Sequence, residues 1–165
     1  MKAYDVLSIV RVVLCLSFGC LNCTNNPVTP ISPEMLKFLE LHVVEGSILA
    51  NLMPSIPPDP IVSRITIVAN NRSTLDTMNG LKVLAADVYV ASNDSLLGRM
   101  TFTSAWDGRL SPGERDTVIA NKVRSDTTLF HPTCRDLVYL TIFVGSDIEH
   151  SKSITSDTLQ FGCVY

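Results

Sequence analysis

From Ile61 onward, apolar and polar residues take turns along the chain, and each alternating run stops at turn residues. Side chains on a strand point to opposite faces in succession, so a period of two predicts half-buried β-strands. The first run, residues 61–69, sets Ile65 and Ile67 against Arg64 and Thr66 and ends at Asn70 and Asn71. The second, 81–91, follows an Asn79-Gly80 turn and places Leu84, Ala86, Val88 and Val90 on one face. Ser92-Asn93-Asp94-Ser95 turns the chain into 96–104, where Met100 and Phe102 share a face. In Leu110-Ser111-Pro112-Gly113-Glu114, proline presets φ and the glycine after it accepts a positive φ, as a type II turn requires. Runs at 115–123, 136–144 and 154–165 complete the series.

The segment before Ile61 admits two readings. Ser32-Pro33-Glu34 is a helix start, with a cap, proline at the first position and an acid in the first turn. Met35, Leu36, Leu39 and Val43 then form a helical stripe that Gly46 would stop. Alternatively Leu39, Leu41 and Val43 are one face of a strand, opposed by Glu40 and His42. The all-β remainder favours a strand from Leu39 after one helical turn, with a second short strand at 47–53. Residues 54–60 carry four prolines and cannot lie inside a sheet, because proline donates nothing to the ladder. That segment is expected to cross between strands, or to serve as a polyproline ligand. Strands in close succession without intervening helices predict antiparallel pairing in a sandwich or barrel.

The N-terminus changes the compartment. An apolar run at 6–18 follows Lys2, contains Arg11, and ends in small Ser17 and Gly19 before Cys20. This is the layout of a secretory signal, too short to span a bilayer comfortably. Ser17-Phe18-Gly19-Cys20 resembles the lipobox of bacterial lipoproteins, which implies acylation of Cys20 as the new N-terminus. The same residues satisfy ordinary signal cleavage, after which Cys20 would be a thiol free to pair with Cys23 or another partner. The expected organisation is a signal peptide at 1–19, a flexible tether at 20–33, and a β-sandwich domain at 34–165. Polar residues with Pro27 and Pro30 cannot bury enough surface to fold, so the tether stays extended.

Composition excludes some partners. A formal net charge of -3 argues against nucleic acid, which wants a basic face. Nothing after Cys20 is apolar for long enough to span a membrane, so membrane contact is expected through the N-terminal lipid. Cys20-Leu21-Asn22-Cys23 is half of a zinc motif without its other half. A symmetric hairpin turning between residues 148 and 149 would set Cys134 opposite Cys163, close enough to form a disulfide.

Candidate chemistry is sparse, and no cofactor or metal is expected. His131 near Cys134 has the elements of a Cys–His nucleophile, but a disulfide-bonded sulfur is no nucleophile. Asp147, Glu149 and His150 supply metal-ligand types from one turn but are expected to form a solvated hairpin tip, because metal sites draw ligands from several elements, and His42 with Glu45 is a structural or solvated pair. The sequons at Asn22, Asn71 and Asn93 are expected to be chance matches in a chain rich in Asn, Ser and Thr. Trp106, the one tryptophan, either caps the core beside the 110–114 turn or anchors a partner or glycan.

Ile65-Thr66-Ile67-Val68-Ala69-Asn70-Asn71, the run 83–90 and Leu110-Ser111-Pro112-Gly113-Glu114 together resemble immunoglobulin-like domains of bacterial envelope proteins, nearest the CARDB and FxLYD types. The resemblance implies an all-β, immunoglobulin-like antiparallel sandwich of about seven to eight strands. It further implies a non-catalytic spacer, adhesion module or assembly partner. The expected function is an exported, lipid-anchored binding module of the cell envelope whose partner is an envelope protein or a glycan. A soluble secreted, disulfide-bonded binding protein is the alternative, and a metal-binding or hydrolytic envelope protein a further one.

Overall fold

The alternation becomes nine strands in the computed structural model, which describes residues 31–51, 61–123 and 133–164. A single helical turn, α1 (Pro33–Leu36), leads into β1 (Leu39–Asn51), β2 (Ile61–Asn71), β3 (Lys82–Val90) and β4 (Leu96–Ser104). Then follow β5 (Arg115–Lys122), β6 (Leu137–Gly145), β7 (Ser151–Thr155), β8 (Leu159–Gln160) and β9 (Gly162–Val164). The expected signal, the tether as far as residue 30, Cys20, Cys23, Asn22, the proline segment 54–60, His131 and Tyr165 lie outside the described residues.

One layer has the order β9-β1-β2-β5, and the other β7-β6-β3, with β8 also paired to β6. Strand β4 belongs to both layers. Its first part pairs with β3 as far as Thr101, and Phe102–Ser104 pair with β5. That crossover makes the hydrogen-bonded path continuous although the core lies between two layers. Every pairing is antiparallel except that of β1 with β9. Strand β2 bonded to β5 in one layer, and β3 to β6 in the other, is the immunoglobulin-like arrangement.

Alternation explains the packing. Ile65 and Ile67 of β2, Val118 and Ala120 of β5, Met100 of β4, and Leu140 and Ile142 of β6 meet in one buried cluster. The outward partners Arg64, Thr117, Ile119 and Asn121 stay exposed. Departures from strict alternation have local causes. The β3–β6 register slips between Val83 and Ala85, so Leu84 is the extra residue of a bulge and the inward row is Val83, Ala86 and Val88. Val44 bulges in the same way in β1, which runs through residue 51 as one strand instead of restarting at Ser47. The last predicted strand, 154–165, divides into β7, β8 and β9.

The break after β7 is made by Ser156. Its N–H donates to the Leu140 carbonyl (2.8 Å) while its hydroxyl accepts from the Leu140 N–H (3.0 Å), so one residue occupies two ladder positions. Thr141 pairs with Thr155, but beyond the break Val138 pairs with Leu159, one residue out of step. At the open edge of the sandwich Lys152, beside Val144 in register, sends its ammonium across to the Leu39 carbonyl of β1. A lysine pointing inward at a sheet edge blunts it against pairing with another chain.

The turns follow their residues. Ser32 caps α1, accepting from the Met35 N–H. Gly113 has φ +74°, and the Glu114 N–H closes the Pro112-Gly113 turn on the Ser111 carbonyl at 3.0 Å. The Glu114 carboxylate accepts from the Ser111 N–H at 2.6 Å, and this bond holds its carboxyl below the usual range.

Candidate functional site

Cys134 and Cys163 form a disulfide with Cα atoms 5.7 Å apart. The one-residue shift at Ser156 is what aligns them, since the inner pairs centre on Ile148 and the outer pairs half a residue later. Arg135 N–H bonds to Phe161 O and Phe161 N–H to Asp136 O, which carries the outer register toward the cysteines. Cys163 itself pairs with Ala50 of β1, so the bridge ties the start of β6 to the opposite layer. In this state Cys134 is unavailable as a nucleophile.

At the hairpin tip, Asp147 and His150 engage each other. Asp147 Oδ1 accepts from the His150 N–H (2.8 Å) and lies 2.9 Å from His150 Nδ1. The backbone bond first, then the imidazole, draws the Asp147 carboxyl below its ordinary value. Glu149 is exposed beside them. Among the described residues, no three His, Cys, Asp or Glu side chains are grouped to hold a metal ion.

Two of the three sequons are described. Asn71 is fully buried, and its carboxamide donates to the carbonyls of Asp76, Leu110 and Ser111. It is a structural pin with no room for a glycan. Asn93 is exposed, and its Oδ1 caps the Ser95 N–H.

Trp106 is half-buried, packed against the core cluster, with its indole N–H buried and without an acceptor among the described residues. Ala105, Asp107, Asp116, Thr117, Val118 and Ile119 complete an open depression of about 510 Å³ beside it. The loop is held tightly. Gly108 has φ +74°, its carbonyl accepts from Leu81 N–H (3.0 Å), and a Cβ there would stand 2.2 Å from the Leu81 carbonyl oxygen. Only glycine fits.

The sequence reading missed the outer face of β4-β3-β6-β7. Tyr89 pairs in register with Tyr139, and their rings stack 5.2 Å apart, 12° from parallel. Tyr139 donates its hydroxyl to Asp94 (3.0 Å), whose φ of +55° belongs to the 91–95 turn. Burial first, then this bond, raises the Tyr139 pKa. One row along, Arg99 binds Asp87 through two bonds of 2.6 and 2.8 Å. The bonds to Asp87 raise the Arg99 pKa. Its guanidinium also lies 5.0 Å from the centre of the Phe143 ring. The Asp87 side chain is 9% exposed and that of Arg99 47%, so the arginine roofs the acid. Exposed Leu96 and Leu137 extend the patch.

The outer face of the other layer is different in kind. It presents Glu40, His42, Glu45, Arg64, Asn70 and Arg115 together with exposed aliphatic Val44, Val62 and Ile119, without a Tyr, Phe or Trp ring at its paired outward positions, and Glu40 is drawn below its usual pKa by its bond to Arg72. The signal for the aromatic face was present in the sequence as the odd positions Asp87, Tyr89, Tyr139 and Phe143. Nothing local, however, says that these two strands are neighbours in that register.

No protein-family model matches the chain, and no curated protein matches it. A solved structure it resembles is the β-glucosidase from Kluyveromyces marxianus in complex with glucose, at 13% identity and a TM-score of 0.34. The alignment covers 76% of this chain and 15% of that one, so this chain corresponds to a small part of the enzyme's length.

Proposed function

We propose that the chain is an exported, lipid-anchored, non-catalytic β-sandwich that docks an envelope protein through the outer face of β4-β3-β6-β7. The contrast between the two outer faces carries the reading. Protein interfaces are enriched in Tyr, Phe and Arg at their centres and depleted in Lys, Glu and Asp, and the acid in these rows, Asp87, is 9% exposed beneath Arg99. The three central rows of this face hold Leu96, Tyr89 and Tyr139, then Arg99, Asp87 and Thr141, then Thr101, Ala85 and Phe143. Stacking, a cation–π contact and a two-bond ion pair fix these side chains in advance, so little rotamer freedom is lost on binding. The non-catalytic reading draws support from charged groups already committed to one another: Asp87 with Arg99, Glu40 with Arg72, and Asp147 with His150.

Export draws support from the signal layout and from the Cys134–Cys163 bridge, since disulfides persist in oxidising compartments. The anchor rests on Cys20 alone. Fatty-acid labelling in a bacterial host should mark the wild type and not Cys20→Ala; an unlabelled wild type leaves the soluble secreted form. For the docking face, a photo-crosslinking residue placed at Thr141 should trap a partner in envelope extract. The same probe at Ser47, on the opposite outer face, should not. Equal capture from both positions, or none from Thr141, refutes the assignment.

A further inference from the structure

We propose that the depression beside Trp106 is a subsite for an uncharged, hydroxyl-rich sugar ring, on a different surface from the docking face and independent of it. The chemistry of its wall makes the choice. Trp106 supplies aromatic surface, and Ala105, Val118 and Ile119 add aliphatic surface. The charged hydrogen-bonding groups are both acceptors, the carboxylates of Asp107 and Asp116, and the Thr117 hydroxyl beside them can donate or accept. The donor that the indole could have offered is buried on the protein side. A ligand must therefore bring an apolar face for the ring and its own donors for the acids. A pyranose does both, with C–H groups on its faces and O–H groups around its rim.

The acids are positioned and half free. Asp107 Oδ1 accepts from the Arg109 N–H (2.9 Å), and Asp116 Oδ1 from the Thr117 N–H (2.7 Å). Among the described residues the second oxygen of each has no donor. The loop between Trp106 and Leu110 is fixed by the close approach of Gly108 to Leu81 and by the paired bonds, each 2.9 Å, between Met78 and Leu110. A site held this way needs little reorganisation to bind. The cavity of about 510 Å³ is within the range of small-molecule sites and open enough for one part of an oligosaccharide. No Lys or Arg lines it, which disfavours anionic sugars. The buried indole N–H also becomes intelligible. Phenylalanine would cap the core without an unmet donor, whereas the larger indole adds aromatic surface toward the depression.

Because Trp106 is the one tryptophan, fluorescence of the purified, disulfide-intact protein excited at the red edge, where its four tyrosines do not absorb, reads this site alone. Cellotetraose, maltotetraose and fully N-acetylated chitotetraose, all uncharged, are titrated to about 10 mM, a range that detects binding several kcal/mol weaker than micromolar. A saturable emission change with at least one of them is expected. Asp107→Asn and Asp116→Asn keep the oxygen that serves Arg109 or Thr117 but turn the free acceptor into a neutral amide. Each should weaken binding roughly tenfold, the difference between a charged and a neutral hydrogen bond. An unchanged urea midpoint in those variants excludes misfolding as the cause. No emission change with any of the three overturns the proposal. So does binding that the asparagine variants leave intact, or a response to spermidine or tetragalacturonate in place of the neutral sugars.

Discussion

Asn71 ties the end of β2 to two loops at once, so removing its carboxamide tests how the Trp106 end of the sandwich is held. The side chain is fully buried. Its Nδ2 donates to the carbonyls of Asp76 (2.7 Å), Leu110 (3.1 Å) and Ser111 (3.1 Å), and its Oδ1 accepts from the Ser73 N–H (2.9 Å). In Asn71→Ala these partners fare differently. The Leu110 carbonyl keeps the Met78 N–H, and the Ser111 carbonyl keeps the Glu114 N–H. Asp76 is exposed and its carbonyl can turn to water, but Ser73 is buried and its N–H is orphaned. An unmet buried donor costs about 1–3 kcal/mol and each lost bond about 1 kcal/mol, so the variant should lose about 3 kcal/mol. With a urea slope of about 1–3 kcal/mol/M, the midpoint falls by at least about 1 M at unchanged slope. Asn71→Asp keeps the acceptor for Ser73 but turns its second oxygen toward three carbonyls. Burial and those dipoles raise the folded-state pKa of the introduced carboxyl above its unfolded value of about 4. Folded protein then binds more protons than unfolded protein between the two values, and stability falls as pH rises through that window. Relative to the parent at each pH, Asn71→Asp should therefore be less destabilised at pH 4 than at pH 7. A loss under about 0.5 kcal/mol for Asn71→Ala, or the opposite pH trend for Asn71→Asp, refutes the reasoning.

Three further outcomes are expected. Replacing Cys134 and Cys163 together by alanine opens a link between residues 29 apart, and the chain-entropy model gives a loss of about 3–4 kcal/mol in urea unfolding; under about 1 kcal/mol would contradict it. On the outer face, Arg99→Met should destabilise more than Asp87→Asn, because the first strands a carboxylate that is 9% exposed while the guanidinium left by the second is already 47% exposed. Equal losses in thermal unfolding would show that the arginine does not roof the acid. Asp147, whose carboxyl is lowered by the His150 N–H and imidazole, should show a carbon-13 NMR titration midpoint below the ordinary aspartate value, moving up in His150→Ala. Its contribution to the hairpin is present above the unfolded pKa and lost as pH falls through the folded one.

Much of the fold was legible because period two and turn chemistry are local signals. Residues 96–104 were bounded as they stand, and Gly113 took the positive φ that its place after proline demands. The strand from Leu39 after one helical turn also held, because Ser32 and Pro33 start a helix that too few residues follow. What was illegible depends on partners. Leu84 looks like a member of the inward row until β6 imposes a bulge, and the 154–165 run looks continuous until Ser156 answers both backbone groups of Leu140. The Cys134–Cys163 pairing was legible because hairpin symmetry is arithmetic, and it survived a break because the shift at Ser156 moved the centre by half a residue, to the place the cysteines require.

The same distinction explains the sites. Trp106 could be singled out as a residue, but the two acids beside it come from separate segments, one from its own loop and one from β5. Likewise the aromatic face exists only once β3 and β6 are adjacent and in register, since Tyr89 and Tyr139 are fifty residues apart along the chain. Core positions announce themselves because burial demands apolar side chains at every second place. Outer positions face water and tolerate nearly any residue, so each strand alone carries no mark of an assembled surface. The mark appears when neighbouring outward rows are compared, one layer mixing charged and aliphatic residues and the other carrying stacked aromatic rings around an ion pair. Pairing makes that comparison possible, and that is why the proposed function rests on the sheet register more than on any one residue.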